Sequence, residues 1–141
     1  MISSILKWSF IQYNKRSLKN KYYDSKLVLD GISKPVNVYA DEWQIPTIYA
    51  ENSRDMFFMQ GFIHARDRLW QMEMNRRIGM GTLAEAFGVQ ALPTDRLTRT
   101  LGFKRIAEKE LKNLSDENLS IINAYISGVN EFINQGNYAI E

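Results

Sequence analysis

The side chains with the clearest potential for acid–base chemistry lie within one predicted helix. His64 is the only histidine among the 141 residues, and it falls beside Asp67 and Arg68 in the polar sector of that helix. An imidazole can act as a general base near neutral pH. No nucleophile is identifiably paired with this one, however, and a single imidazole cannot form a metal cluster. The pattern therefore favours a histidine on the surface or facing another domain.

Arg66 and Glu73 are a second candidate, because they lie seven residues apart and so on nearly the same line of the helix. They fall between two predicted apolar stripes, so both should be largely removed from water and should need partners. A polar network that supports a site is one interpretation, and a structural ion pair that holds the helix to a sheet is the favoured one. Glu73 also reaches Arg76 and Arg77 at helical spacing. The stripes comprise Phe58, Phe62, Ala65, Leu69 and Met72 on one side, and Met59, Ile63, Trp70 and Met74 on the other.

The sequence excludes several catalytic classes. It contains no cysteine, which removes thiol catalysis, disulfides and zinc-thiolate sites. It also lacks the G-x-S-x-G, H-E-x-x-H, phosphate-loop and G-x-G-x-x-G patterns. The nearest glycine pair, Gly79-Met80-Gly81, follows a helix instead of a strand and so indicates a turn.

Composition is that of one globular domain with an uneven charge distribution. The chain is 45% hydrophobic with a net charge of +2, and residues 1–26 hold six basic side chains against one acidic one. We expect residues 1–26 to be a basic, amphipathic leader and residues 27–141 to be the folded domain. Met1–Tyr13 fits a short helix that lies on a membrane surface or on its own domain. No apolar run approaches the roughly 18–20 residues that span a bilayer.

A β-hairpin is predicted ahead of the helices. Val36, Val38 and Ala40 alternate with polar or aromatic neighbours, which is strand periodicity. Asp41–Gln44 forms a polar turn, and Thr47–Ala50 forms the second strand.

About four helices should follow. The first is expected to be capped by Ser53 and to run to about Ile78. The second should begin with a capping box of Thr82 and Glu85 and end at Gly88.

The third helix is expected after Pro93-Thr94, and the fourth is expected to be capped by Ser115 and to end at Gly136. Strands followed by helices indicate an α+β fold. The predicted buried stripes are Leu97, Leu101, Ile106 and Leu111 in the third helix, and Leu119, Ile122, Ile126, Val129 and Ile133 in the fourth.

The segment from Gly61 to Gly88 strongly resembles the penicillin acylase (penicillin amidase) family. That family's hallmark is a glycine, an alanine, an Asp-Arg-Leu-Gln-Met-Glu-like run, an arginine pair and Gly-x-Leu-Ala-Glu. The matching residues are Gly61, Ala65, Asp67, Arg68, Leu69, Gln71, Met72, Glu73, Arg76, Arg77, Gly81, Leu83, Ala84 and Glu85.

The flanks of this segment agree in order over about residues 29–135. Two departures occur in the predicted hairpin. Gln44 stands where the family usually has glycine, and Thr47 stands where it usually has histidine, so the local geometry there is in question.

The resemblance implies an N-terminal-nucleophile hydrolase with an αββα architecture, of which this chain would be a fragment of the α chain. Such enzymes are made as precursors and cut into α and β chains, and the serine that begins the β chain attacks the amide carbonyl. Gly81-Thr82 is an unsuitable junction because Thr82 is explained as a helix cap, and no Gly-Ser dipeptide occurs. We therefore expect no catalytic, cofactor-binding or metal-binding residue in this chain.

The resemblance also implies a structural calcium ion in the full-length enzyme, held outside this chain, and an extracytoplasmic or membrane-associated location. The expected partners are the remainder of the α chain, the β chain and a small acyl-amide substrate, with no nucleic acid. Two alternatives stay open. One is a non-catalytic helical interaction module that retains the family scaffold, and the other is membrane-surface binding through residues 1–26.

Overall fold

The computed structural model describes residues 26–136, and the predicted amphipathic leader therefore lies outside the described residues except for Lys26. An antiparallel hairpin precedes a series of helices, which confirms the predicted α+β order. The elements are β1 (Asn37–Ala40), β2 (Pro46–Tyr49), α1 (Ser53–Met80), α2 (Ala84–Phe87), a 3-10 turn (Gly88–Ala91), α3 (Leu92–Leu101), α4 (Phe103–Leu111) and α5 (Asp116–Asn134).

The hairpin turns through a loop of three residues that Asp41 holds in place. The Asp41 carboxylate accepts hydrogen bonds from the backbone N–H groups of Trp43 at 2.9 Å and Ile45 at 2.8 Å. The N–H of Gln44 donates to the Asp41 carbonyl at 3.0 Å. Gln44 has a φ of 63°, the left-handed conformation that usually ends such a loop and favours glycine. The substitution of glycine by glutamine noted from the sequence therefore falls at the one strained position of the hairpin.

Helices α1 and α5 cross at a point where only glycine fits. A Cβ atom added to Gly61 would overlap the carbonyl oxygen of Tyr125, and one added to Gly128 would overlap the carbonyl oxygen of Phe58. Glycine removes the side chain that would otherwise separate the two backbones, so the backbones approach more closely than any other residue would allow. This crossing fixes the position of α5 along α1.

The hydrophobic core lies beside this crossing. Phe62 and Phe132 pack edge to face, with ring centroids 5.6 Å apart, and Met59 and Ile63 complete the buried cluster with Ala65. The inward-facing side chains of the hairpin, including those of residues 38 and 48, pack against the same cluster. The expectation that α1 is covered on more than one side is thus confirmed for its first half.

The second half of α1 behaves differently. The helix departs from regular geometry at Arg68, with φ −141° and ψ 23°, and every buried residue of α1 lies before that point. Trp70, assigned from the sequence to a buried stripe, is 42% exposed. The predicted stripes hold only in part beyond Arg68: Leu69 is half-buried and packs against the core, whereas Trp70 is exposed.

Two predicted helix starts are also wrong. Asn52, not Ser53, caps α1, and its side-chain oxygen accepts from the N–H of Asp55 at 2.8 Å. The capping box of Thr82 and Glu85 does not form, because Leu83 occupies the cap position of α2 and no side chain within that turn caps it.

The predicted third helix is two helices. Gly102 adopts a left-handed φ of 76°, ends α3 and begins α4, and the predicted stripe is consequently exposed, with Leu97 at 61%. The Ser115 cap of α5 is confirmed. The fully buried residues of α5 are Ala124, Gly128 and Phe132, however. Of the predicted aliphatic stripe, Val129 packs against the core, but Ile122 and Ile126 are 37% and 47% exposed. Close contact between two helices favours small residues such as Ala124 and Gly128, and a pattern of large apolar side chains does not include them.

Replacing Gln44 by glycine should stabilise the chain. Relief of the left-handed strain outweighs the extra freedom of glycine in the unfolded chain, so we expect a gain of roughly 0.5–1 kcal/mol in the free energy of unfolding by urea titration. The Gln44→Ala variant keeps the strain and should show no gain. Equal stability of the glycine and alanine variants would contradict this account of the loop.

Replacing Gly128 by alanine should destabilise the chain by roughly 3 kcal/mol, because the new methyl group must push α5 away from α1. Gly79→Ala is the matched control, since nothing lies within 4 Å of a Cβ at that helical position. We expect that control to stabilise by about 0.5–1 kcal/mol in the same urea titration. A Gly128→Ala variant as stable as the parent would show that the crossing can open without cost.

Candidate functional site

Glu73 and the arginine pair of the Gly61–Gly88 segment form ion pairs with one another in the last turns of α1. Glu73 accepts two hydrogen bonds from Arg76, at 2.7 and 2.8 Å, and its other contact is Arg77 Nε at 2.7 Å. The hydrogen bond from Arg76 lowers the pKa of Glu73 against the opposing effect of burial, and the charges of both arginines add to the lowering. The same hydrogen bond raises the pKa of Arg76. The predicted pairing of Glu73 with both arginines is confirmed.

Arg66 and Glu73 do not pair with each other. Arg66 forms a two-pronged ion pair with its neighbour Asp67, at 2.7 Å from Nε and 2.8 Å from Nη2. The Arg66 side chain is 11% exposed and the Glu73 side chain is 33% exposed, so removal from water is confirmed for Arg66 and only partial for Glu73. The irregular backbone at Arg68 lies between them and breaks the common line on which the sequence placed them.

The arginine pair and the following glycine turn join α1 to the next two helices. Arg77 Nη1 lies 3.1 Å from the Glu85 carboxylate, and Arg99 Nε donates to the carbonyl of Gly81 at 2.7 Å. Gly81 closes α1 in the left-handed conformation, with a φ of 67°. These contacts give the family hallmark a structural role at a helix end.

Asp95 caps α2 from a distance. Its two carboxylate oxygens accept from the N–H groups of Leu83 and Ala84, both at 2.8 Å, and the residue is only 5% exposed. The start of a helix carries N–H groups with no partner inside the helix, and a carboxylate satisfies them well. Asp95 lies in the first turn of α3. The sequence therefore predicted a capped start for α2 correctly but assigned the cap to Thr82 and Glu85 instead of Asp95.

Asp55 makes a similar clamp at the other end of α1 and is fully buried. Its carboxylate accepts from the backbone N–H of Ser33 at 3.0 Å, the Ser33 hydroxyl at 2.7 Å and the N–H of Lys34 at 3.0 Å. The side-chain amide of Asn52 donates to it at 2.7 Å. Burial alone would raise the pKa of Asp55, but these hydrogen bonds outweigh burial and lower the pKa from 3.8 to about 2.

The two buried aspartates are thereby unsuited to acid–base catalysis or metal binding. Each uses both carboxylate oxygens to hold consecutive backbone N–H groups of a separate segment. Over residues 26–136, no group of three or more histidine or acidic side chains is arranged to hold a metal ion.

His64 contacts Tyr125 across the crossing of α1 and α5. Its Nδ1 and the tyrosine hydroxyl share a hydrogen bond of 3.0 Å, and the rings meet edge to face at 5.7 Å. Burial raises the pKa of Tyr125, so the phenol remains protonated at neutral pH. A neutral phenol is a weak nucleophile. This pair therefore fits a structural hydrogen bond between α1 and α5 better than a catalytic pair.

The outer face of the hairpin carries an open depression of about 550 Å³. Tyr39 and Tyr49 pack edge to face there, with ring centroids 5.7 Å apart. The rest of its lining is formed by Asn37, Ala40, Asp41 and Thr47. None of the residues of the Gly61–Gly88 segment reaches this depression. Within the described helices, none is both long and apolar enough to cross a membrane.

Comparison with known proteins gives a consistent result. The sequence pattern of the penicillin amidase family matches residues 35–141. The chain is 40% identical over 110 residues to a penicillin acylase 2 proenzyme from Pseudomonas sp. (strain SE83), covering 78% of this chain and 14% of that protein. It is 32% identical over 116 residues to a penicillin G acylase from Escherichia coli, covering 82% of this chain and 14% of that protein.

The chain is also similar to an acylase that is named for a different substrate and to an acylase of known structure. An acyl-homoserine lactone acylase, QuiP, from Pseudomonas aeruginosa is 32% identical over 105 residues, which cover 74% of this chain and 12% of that protein. The structure of a thermostable penicillin G acylase from Alcaligenes faecalis aligns with a TM-score of 0.65 at 27% identity, over 72% of this chain and 54% of that one. The chain thus spans only 12–14% of the length of these three curated relatives.

Replacing Asp55 by asparagine should remove a pH-dependent part of the stability. A carboxyl group whose pKa is lowered on folding stabilises the fold fully above its unfolded pKa, and that contribution is lost as the pH falls through its folded pKa. We expect Asp55→Asn to cost about 2 kcal/mol at pH 7 in urea titrations, and the difference from the parent to shrink between about pH 4 and pH 2. The control variant is Asp30→Asn, at an exposed position. It should have the same free energy of unfolding as the parent at each pH. A constant difference from pH 7 to pH 2 would contradict the assigned clamp.

Proposed function

Because this chain belongs to the penicillin amidase family, we propose that it is the N-terminal portion of an acylase precursor that hydrolyses carbon–nitrogen amide bonds. The observation that carries the proposal is the match over residues 35–141, which includes the whole Gly61–Gly88 segment. Relatives in this family are named as penicillin acylases and as acyl-homoserine lactone acylases. We propose substrates of these two kinds, in which a small acyl group is joined to a nitrogen atom.

The nucleophile of this reaction is proposed to be a serine at the N-terminus of a second chain, outside the described residues. Its hydroxyl oxygen would attack the amide carbonyl while its own α-amine accepts the hydroxyl proton. The C–N bond of the resulting tetrahedral intermediate would then break as the departing amine takes up that proton, which leaves an acyl-enzyme ester. Water would then release the acid. The support from this chain is indirect. His64 and Glu73, its best acid–base candidates, are engaged with Tyr125 and with the arginine pair.

The partners are proposed to be the remainder of the α chain and the β chain of the same precursor. One relative is named as a proenzyme, and the chain spans 14% of that protein's length. A calcium ion, if the enzyme holds one, is proposed to bind in those other parts. Asp55 and Asp95 are already occupied by backbone N–H groups.

A second candidate is a non-catalytic interaction module that retains the family scaffold. Helix α4 is the observation in its favour, because all nine of its residues are exposed and Ile106 and Leu111 are each 51% exposed. An amphipathic helix with an open apolar side needs a covering surface, which a binding partner could provide.

The decisive experiment compares the purified chain with a chimeric precursor. In the chimera, residues 35–141 of this chain replace the aligned stretch of the Pseudomonas proenzyme. We expect no release of amine from phenylacetyl amides or acyl-homoserine lactones by the chain alone. The chimera should be processed into two chains and should hydrolyse one of these substrates. Its control carries alanine at the serine that begins the second chain, and it should be folded and inactive.

Two outcomes would contradict the proposal. Turnover by the purified chain alone would show that the nucleophile lies within it. A chimera that folds but neither matures nor hydrolyses amides would favour the interaction module instead.

A further inference from the structure

Helix α4 is the element of the fold with the least cover. All nine of its residues are exposed, and Phe103 and Leu111 are 50% and 51% exposed. A helix shorter than about 12–15 residues is only marginally stable in water by its own hydrogen bonds, so helices of this length depend on the packing of an apolar side. Within residues 26–136, the apolar side of α4 lacks such a cover.

The apolar side of α4 is built from residues spaced four apart. Phe103, Ala107 and Leu111 follow one another at about one helical turn and so lie on nearly one line. The small Ala107 stands in the middle, with a large apolar residue at the same distance before and after it. The order large, small, large is the same in both directions. A second copy of α4 that runs antiparallel can therefore place its own Leu111 on Phe103, with Ala107 at a two-fold axis.

The charges beside this line are also self-complementary. Lys104 and Glu108 lie on the same border of the apolar side, 3.8 Å apart, and their side chains are 58% and 64% exposed. In a two-fold antiparallel pair, each border of one helix faces the same border of its copy, running in the opposite direction.

This arrangement brings unlike charges together across the two-fold axis. Lys104 precedes Ala107 by three residues and Glu108 follows it by one. Lys104 therefore comes within about 3 Å, measured along the helix axis, of Glu108 of the second copy. Two lysines and two glutamates then alternate along one edge of the pair, and such interhelical ion pairs fix the choice of partner and its direction.

We propose that α4 is a self-association surface through which two copies of this chain form a weak dimer with two-fold symmetry. Phe103 of each copy packs on Leu111 of the other, and Lys104 of each copy pairs with Glu108 of the other. The contact is small, so we expect a dissociation constant of about 1–100 µM. This inference is independent of the proposed function, because it uses only the surface of α4.

The position of the acidic residues favours a second copy over a lipid surface. Glu110 falls between the lines of Ile106 and Phe103, directly beside the apolar side. Insertion into lipid would draw this carboxylate toward an apolar phase, which is costly, whereas the rim of a helix pair stays hydrated. Helices that lie on membranes carry mainly lysine and arginine on their polar face, and α4 carries two glutamates as well.

Charge exchange tests the pairing, with the dissociation constant measured by sedimentation equilibrium of the purified chain. Lys104→Glu places four acidic side chains along the edge, and Glu108→Lys places four basic ones. Each variant alone should raise the dissociation constant at least about tenfold, because like charges then face one another. An equimolar mixture of the two variants should form a heterodimer within about threefold of the parent's dissociation constant, because every lysine again faces a glutamate.

Lys34→Glu is the matched control, because Lys34 forms an exposed ion pair with Glu51 at 2.8 Å outside α4. It should change the dissociation constant by less than about twofold. All three variants should keep the melting temperature of the parent in dilute samples, where the chain is monomeric, so that a loss of association is not a loss of folding.

Several results would overturn the inference. The purified chain could remain monomeric up to about 500 µM, well above the expected dissociation constant. The single variants could associate as well as the parent, or their mixture could fail to associate. Binding of a monomeric chain to phosphatidylglycerol vesicles that Lys104→Glu abolishes would identify a lipid surface as the occupant instead.

The processed chimera completes the test, because it carries α4 together with the remainder of a precursor. We expect it to dimerise and to respond to Lys104→Glu as the purified chain does. A monomeric chimera would show that the remainder of the precursor covers α4, which would also overturn the inference. A chimera that hydrolyses amides as a monomer contradicts only the dimer, and a dimeric chimera that hydrolyses nothing contradicts only the proposed reaction.

Discussion

The close crossing of α1 and α5 at Gly61 and Gly128 is the contact on which the rest of the structure depends. With no Cβ at either glycine, each backbone lies directly against a carbonyl of the other helix. That approach brings Phe132 onto Phe62 and places Tyr125 beside His64. The hairpin then packs on the same core as the phenylalanine pair, and the buried carboxylate of Asp55 ties the segment before β1 to the start of α1. The first half of α1 is thereby covered on both sides.

The residues that identify the family serve mainly to build this scaffold. Glu73 is held by the arginine pair, Gly81 ends α1, and the N–H groups of Leu83 and Ala84 are capped by Asp95. Strong sequence similarity in this segment is therefore compatible with the absence of a catalytic group from it. The chemistry proposed for the family requires a free N-terminal amine beside a nucleophile, and an internal helix end cannot provide one.

Local patterns allowed much of the fold to be predicted from the sequence, and long-range contacts account for what was missed. Strand alternation located the hairpin, the Gly79-Met80-Gly81 run marked the end of α1 to within about two residues, and Ser115 marked the start of α5. Asp55 and Asp95 stand near the starts of α1 and α3, but the backbone N–H groups of the other segments that they bind lie 11 to 22 residues away in sequence, which no local pattern indicates. The irregular backbone at Arg68 has no proline or glycine to signal it, so the predicted line joining Arg66 to Glu73 was wrong. The buried face of α5 was missed because alanine and glycine carry little hydrophobic signal.

The central claim is that the Gly61–Gly88 segment is scaffold and that catalysis comes from elsewhere in the precursor. The most direct measurement is kcat of the processed chimera with and without His64→Asn, because His64 is the only histidine of the chain. Asparagine retains a hydrogen-bonding group beside Tyr125 but cannot act as a general base. We predict kcat within a factor of about two, whereas loss of a general base costs on the order of 100-fold or more. A loss of that size with an unchanged melting temperature would contradict the claim and would place His64 in the catalytic machinery.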